Sequence, residues 1–392
     1  MASTLDPGAA SNDDAINAVV DGDDDVEGDD AGPVDGDGDA DEDAAARADS
    51  PLWMVSQSPA LNELVAMLQR SRHALVDGGG TGTLRFSRAQ VAQARAEFVA
   101  MIRRGERDLH RLAGLLADAV LGPHQLRSVV IGAIEESSER FTISVDVSAD
   151  DVAGSTDLDL GNRVLARLAI ADGRHWRRAT LVSNVVEYEA QEPNRLNAYR
   201  ILTRIKAEEE IWNKAVDEIF ELDRMVLRDK QLRHLGRYVK DVFGIKIVVA
   251  SRDDAYKAQQ ALAALVFDAE HLNRREVPAD GEHASLRFIE VKDYMTRRSR
   301  KHSGWSAMKS VVQWGGRMFE IQVQPLSNFL LERERLTKES HASFKDTRDR
   351  VRDEVGSKVP LFSFYQRLLR WIFVEQSGDP PTHEGVEVVV VD

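Results

Sequence analysis

The chain has 392 residues, enough for two or more domains with full cores, and a formal net charge of −15. That charge is concentrated: residues 1–50 hold 17 Asp and Glu against one basic residue, Arg47, which leaves the remainder close to neutral. The absence of cysteine excludes disulfides and thiolate metal sites, and no apolar run reaches the roughly 18 residues of a membrane helix, so a cytoplasmic protein with no membrane partner is expected.

Residues 1–50, rich in Asp-Gly repeats and poor in large apolar side chains, cannot bury enough surface to offset chain entropy and are expected to form a disordered acidic tail. Residues 51–190 form an accessory region. Ser58-Pro59 opens a helix to about Leu75, with Leu61, Leu64, Val65 and Leu68 on one stripe. The stretch 77–83, DGGGTGT, has the glycines of a phosphate loop but no following Gly-Lys-Ser/Thr and no preceding strand, which makes it an interhelix loop. Ser87 and Gln90 form a capping-box pattern, and a second helix runs to Gly122-Pro123. Residues 126–187 lean towards strand. Within them Asp157 and Asp159 of AGSTDLDL share one face of a strand, a pairing that invites a metal but fits a turn and a solvated strand edge better.

Residues 191–354 carry the sharper signals. AYRILTRIK is a strand, and the helix after it starts beside Arg204, Lys206 and, one turn on from Glu210, Lys214. Three cations at one helix N-terminus suit an anion, although a solvated helix start with a Glu210–Lys214 pair explains them too. Asp241 precedes the apolar strand Gly244–Val249, as a turn residue or, with Glu320, as a Mg²⁺ ligand. A helix and another strand lead into KDYM, then a basic loop with Arg297, Arg298, Arg300 and Lys301, then Gly304-Trp305, a flat ring beside a bendable backbone that would suit a purine nucleotide. VVQW-GG-RMFEIQV is a hairpin in which Phe319, Ile321 and Val323 face the core while Glu320, Gln322 and Gln324 face a cleft or water. Two helices follow, about 327–354 and 361–375, with residues 355–392 ending in a Pro-Pro-containing polar tail. The order of elements implies an α/β (α+β) domain with a mixed sheet, flanked by helices.

Between about 195 and 350 these segments resemble the RelA/SpoT-type alarmone synthetase family, a nucleotidyltransferase-like fold. Arg204-Ile205-Lys206 and Lys214 keep the register of the family's Arg-x-Lys and later Lys, with Glu210 in place of a Ser. Asp241-Val-Phe-Gly244-Ile245-Lys246 is similar to its Asp-x-x-Gly-Ile-Arg, and Lys292-Asp293-Tyr294 to its Lys-Asp-Tyr. Gly304-Trp305 stands for a Gly-Tyr, Lys309 for a usual His, and Glu320-Ile321-Gln322 for Glu-x-Gln, followed by Gln324-Pro325 instead of Arg-Thr. His341-Ala-Ser-Phe344-Lys345 resembles His-x-x-Tyr-Lys.

The resemblance implies Mg²⁺-dependent transfer of pyrophosphate from ATP to the 3′-hydroxyl of GDP or GTP. It implies Asp241 and Glu320 as metal ligands and catalytic carboxylates. Arg204, Lys206, Lys214, Lys246, Lys309, Gln322, His341 and Lys345 would hold the substrates, and Trp305 next to Gly304 would stack on the acceptor base. No His-Asp dipeptide occurs, so the hydrolase half of the long family members is not expected. A toxin-like relative acting on adenosine nucleotides or tRNA, favoured by the basic loop, and a catalytically silent nucleotide binder remain open, as does a homo-oligomer.

Overall fold

The computed structural model describes residues 50–134, 140–168, 170–172, 175–220, 239–296, 305–337, 358–375 and 378–391. All of them belong to one compact unit, Asp43–Asp392; the other unit, Met1–Glu42, lies outside the described residues, and with it most of the acidic tail. The basic loop, Gly304, His341 and Lys345 are also outside them.

Two helices open the described chain for the reasons their caps give. The Ser58 side chain accepts the Leu61 N–H at the start of α1 (Pro59–Asp77), and Ser87 accepts the Gln90 N–H at the start of α2 (Arg88–Val120). Between them the expected loop is partly a strand, β1 (Gly82–Ser87). Next come β2 (His124–Ile134), β3 (Arg140–Asp146) and the short α3 (Ala149–Ala153). Here a sequence expectation fails: AGSTDLDL is not a strand edge but the start of α4 (Asp157–Leu165), because Thr156 caps a helix by accepting the Asp159 N–H. The chain continues through β4 (Ile170–Asp172), β5 (His175–Arg177), β6 (Ala179–Ala190), β7 (Ala198–Ile205) and α5 (Glu208–Ile219). Then follow β8 (Phe243–Val249), α6 (Arg252–Ala263), α7 (Ala269–Arg274), β9 (Arg287–Asp293), β10 (Met308–Trp314) and β11 (Arg317–Pro325). The last elements are α8 (Leu326–Thr337), α9 (Phe362–Phe373) and β12 (Val386–Val391). The last of these replaces part of the polar tail that the two prolines suggested, and it pairs in parallel with β1.

Eight strands form one mixed sheet in the order β3-β2-β6-β7-β8-β11-β10-β9, with β8 and β11 parallel and every other neighbouring pair antiparallel. The strands of 124–190 therefore continue the same sheet as those after Ala198. Phe243, Ile245, Ile201, Phe319, Ile321 and Val323 are all buried on one side of it, against α2 and α6. Gly105 lets α2 come close, since a Cβ there would overlap the Phe243 ring. At one edge of this core the Trp212 ring of α5 stacks on Phe373 of α9, centroids 3.7 Å apart, with Phe98 of α2 beside both.

The opposite side of the sheet follows from register. Residues directly opposite across strands share a face, so Lys309, Gln322 and Lys246 form one row, and Glu320, Gly244 and Arg204 the next. This polar face meets α8 at one end, where Lys246 Nζ lies 2.7 Å from Glu332 and the Gln324 amide donates to the same carboxylate at 3.1 Å. Among the described residues no helix is long and apolar enough to cross a membrane.

Candidate active site

The polar face gathers its charges where β7 ends and β8 and β11 begin. The Lys206 backbone N–H donates to the Val242 carbonyl at 2.8 Å, which brings the end of β7 against the residue after Asp241. Asp241 lies between two ammonium groups: Lys206 Nζ is 2.9 Å from Oδ2, and Lys214 Nζ, nearly two turns into α5, is 2.5 Å from Oδ1. Burial alone would raise the Asp241 pKa, but the charges of Lys214, Lys206 and Lys309 outweigh it and hold this carboxyl well below the usual range. For Lys206, burial and then the Lys214 charge act against the proton, and its pKa falls to about 8.

Glu320 is buried, 6% exposed, rather than facing open water. Lys309 of the neighbouring strand forms an ion pair with it, and the Gln322 amide donates to its other oxygen. Burial lowers the Lys309 pKa, yet the negative charges of Glu320 and Asp241 prevail and raise it. One ammonium thus answers both carboxylates. Gly244 sits between Arg204 and Glu320 in register, and a Cβ there would meet only ordinary contacts at 3.6 Å and beyond, so its bareness keeps the middle of the face open.

Trp305 is half-buried and meets the Tyr294 ring edge-on at 5.4 Å. The Tyr294 N–H donates to the Ala307 carbonyl at 3.0 Å, two residues before Lys309, which places the aromatic pair next to the carboxylate cluster. Asp293, beside it, accepts the Tyr256 hydroxyl at 2.7 Å and the Met295 N–H at 2.6 Å, and so shapes the turn that leads towards Trp305.

The structure brings together Lys206, Lys214, Asp241, Lys309, Glu320 and Gln322, with Trp305 reached through Tyr294. Arg204 is exposed on the same face. Lys246 stands apart, its ammonium held by Glu332. Sequence reasoning missed a neighbouring network in which buried Glu290 pairs with both Lys240 and Lys292. Lys292 enters the sequence reading only as part of a motif, although it shares a strand face with Glu290 two residues before it; the distant partner, Lys240, has no local sequence signal.

Asp241 and Glu320 offer oxygen donors only, the set that Mg²⁺ prefers. Glu320 Oε2 is buried against the Lys309 ammonium, so the site already holds positive charge on this oxygen. Two carboxylates that gather cations at one end of the face are a donor set that fits Mg²⁺, which would share or displace the ammonium groups now beside them.

No family model and no curated protein matches the chain. Among solved structures it is similar to the small alarmone synthetase 1 from Bacillus subtilis, bound to its product pppGpp in one case, at 16% identity and a TM-score of 0.24. That match covers 36% of this chain and 62% of the other, so the chain spans less than two thirds of it. A second structure of the same protein matches at 16% identity and a TM-score of 0.20, over 44% and 72% of the two chains. At such values the chain's own residues carry the argument.

Proposed function

We propose that the protein is a transferase that moves pyrophosphate from ATP to the 3′-hydroxyl of GDP or GTP. The supporting observation is the cluster of Lys206, Lys214, Asp241, Lys309 and Glu320 at one end of the polar face, in the order and spacing that the family resemblance calls for. Phosphoryl chemistry asks chiefly for charge neutralisation and alignment. Lys206 and Lys214, now paired with Asp241, turn to the ATP phosphates as point charges, with Arg204 beside them. The acceptor's base stacks on Trp305, backed by Tyr294.

The 3′-oxygen bonds to the β-phosphorus of ATP, the bridge from that phosphorus to the α-phosphate breaks, and AMP leaves. The hydroxyl proton passes to a Glu320 carboxylate oxygen, which Gln322 holds in place. Mg²⁺ held by Asp241 and Glu320 would supply further charge neutralisation on the phosphates.

A second reading, a catalytically silent nucleotide binder, is favoured by one feature: lysines already neutralise both carboxylates. The test is to incubate the full chain with ATP labelled on its β-phosphate and, separately, GDP, GTP, AMP, ADP and bulk tRNA. Label on GDP or GTP is the expected result. Label on an adenosine nucleotide or on tRNA instead identifies the toxin-like reaction, and nucleotide binding without transfer identifies the silent binder.

A further inference from the structure

On the apolar side of the sheet, three ionisable side chains meet in one pocket. Glu106 and His110 are one turn apart on α2, and Asp157 is the first residue of α4; their exposures are 5%, 7% and 8%. His110 Nε2 lies 2.9 Å from Asp157 Oδ1, and Glu106 accepts the Asp157 backbone N–H. The strand β6 fixes this arrangement from below. Asn184 donates its amide to the Asp157 carbonyl at 2.9 Å, and the Tyr188 hydroxyl donates to the His110 carbonyl at 3.4 Å.

The hydrogen bonds do not complete the pocket. His110 Nδ1 and Asp157 Oδ2 are both buried with no partner, a state that buried polar groups rarely keep. Burial pushes the Glu106 pKa up; the Asp157 N–H works against that, and the Asp157 charge adds to it. Two carboxylates and one imidazole share a site that water hardly reaches, and one donor atom from each lies within 4.8 Å of the other two. A cation would answer both the orphaned oxygen and the surplus negative charge.

We propose that Glu106, His110 and Asp157 form a Zn²⁺ site that ties the N-terminus of α4 to the middle of α2. One imidazole and two carboxylates are donors that Zn²⁺ accepts at about 2.0–2.2 Å, and their donor atoms, within 4.8 Å of one another, are near enough to be gathered round one ion. The site is separate from the Asp241–Glu320 cluster and does not rest on the proposed transfer reaction. It also differs chemically, since that cluster offers a metal no imidazole.

The experiment uses the full chain, stripped with a chelator and titrated with Zn²⁺ by calorimetry, with X-ray absorption at the zinc edge on the loaded protein. One Zn²⁺ per chain, an imidazole in its shell and a higher melting temperature are expected. His110→Gln and Asp157→Asn should each weaken binding at least tenfold. No Zn²⁺ uptake, an all-oxygen shell, or binding unchanged in both variants would overturn the site. Should either variant fail to fold, His271→Gln and His283→Gln, at the more exposed His–Asp pairs, decide: Zn²⁺ uptake and an imidazole shell unchanged in both support the site, and loss of the imidazole from the shell in either overturns it.

Discussion

Lys206 is almost buried, and its pKa near 8 has two consequences of opposite sense. In the unfolded chain its proton leaves at the ordinary 10.5, so folding disfavours the charged form; that cost is present in full below about pH 8 and fades as pH rises from 8 towards 10.5. Phosphate binding needs the charged form. ATP affinity should therefore hold below about pH 8 and fall above it, approaching tenfold per unit until the pKa of the complex is reached, while Lys206→Met should bind weakly with no such step. Calorimetric titration from pH 7 to 9 measures both. For Glu320→Gln we expect loss of transfer with the circular dichroism spectrum retained and a lower melting temperature, because Lys309 loses its partner. Near-native turnover in that variant would remove Glu320 from the chemistry. Motif spacing made Lys206, Lys214, Asp241 and Glu320 readable as candidates because each lies at the end or on one face of an element with strong periodicity. Asp157 was misread for a definable reason: Asp157 and Asp159 match the two-residue strand period, and the competing signal, Thr156 capping Asp159, occupies only four residues.

At the level of elements, the hairpin of β10 and β11 was legible down to its turn. Gly315 and Gly316 have φ of +54° and +72°, the left-handed conformation that a two-residue link requires. A Cβ on Gly315 would also overlap the His283 ring. Gly315→Ala should destabilise the fold by about 1–2 kcal/mol or more. Gly281→Ala, at an open loop position with nothing within 4 Å, should stay within about 0.5 kcal/mol of the parent in urea denaturation. Since the hairpin carries both Lys309 and Glu320, equal effects of the two changes would mean that the turn does not fix their register. What local pattern could not reveal was β12. Its run of valines is plain strand sequence, but it follows a Pro-Pro segment, and its partner lies at the other end of the described chain.

The whole molecule is joined in ways that segment-by-segment reading does not expose. One sheet runs from β3 to β9 across residue 190, where the sharper motif signals begin, because β6 and β7 pair directly. In the β1–β12 pair Leu84 and Phe86 of β1, 3% and 1% exposed, stand opposite Val388 and Val390 of β12. Removing residues 384–392 should leave the β1 edge unpaired and lower the melting temperature by several degrees, whereas removing residues 1–42, whose composition resists burial, should leave it nearly unchanged. Differential scanning calorimetry distinguishes these outcomes.

The same strand pair sets a timetable for the nascent chain. Thr83 and Glu387 are 304 residues apart, so β1 cannot pair until nearly the whole sequence between them has been translated. At synthesis rates of about 5–20 residues per second, β1 waits roughly 15–60 s for its partner. Throughout that interval its edge is open, which leaves β1 exposed to chaperone capture or to mispairing on the ribosome.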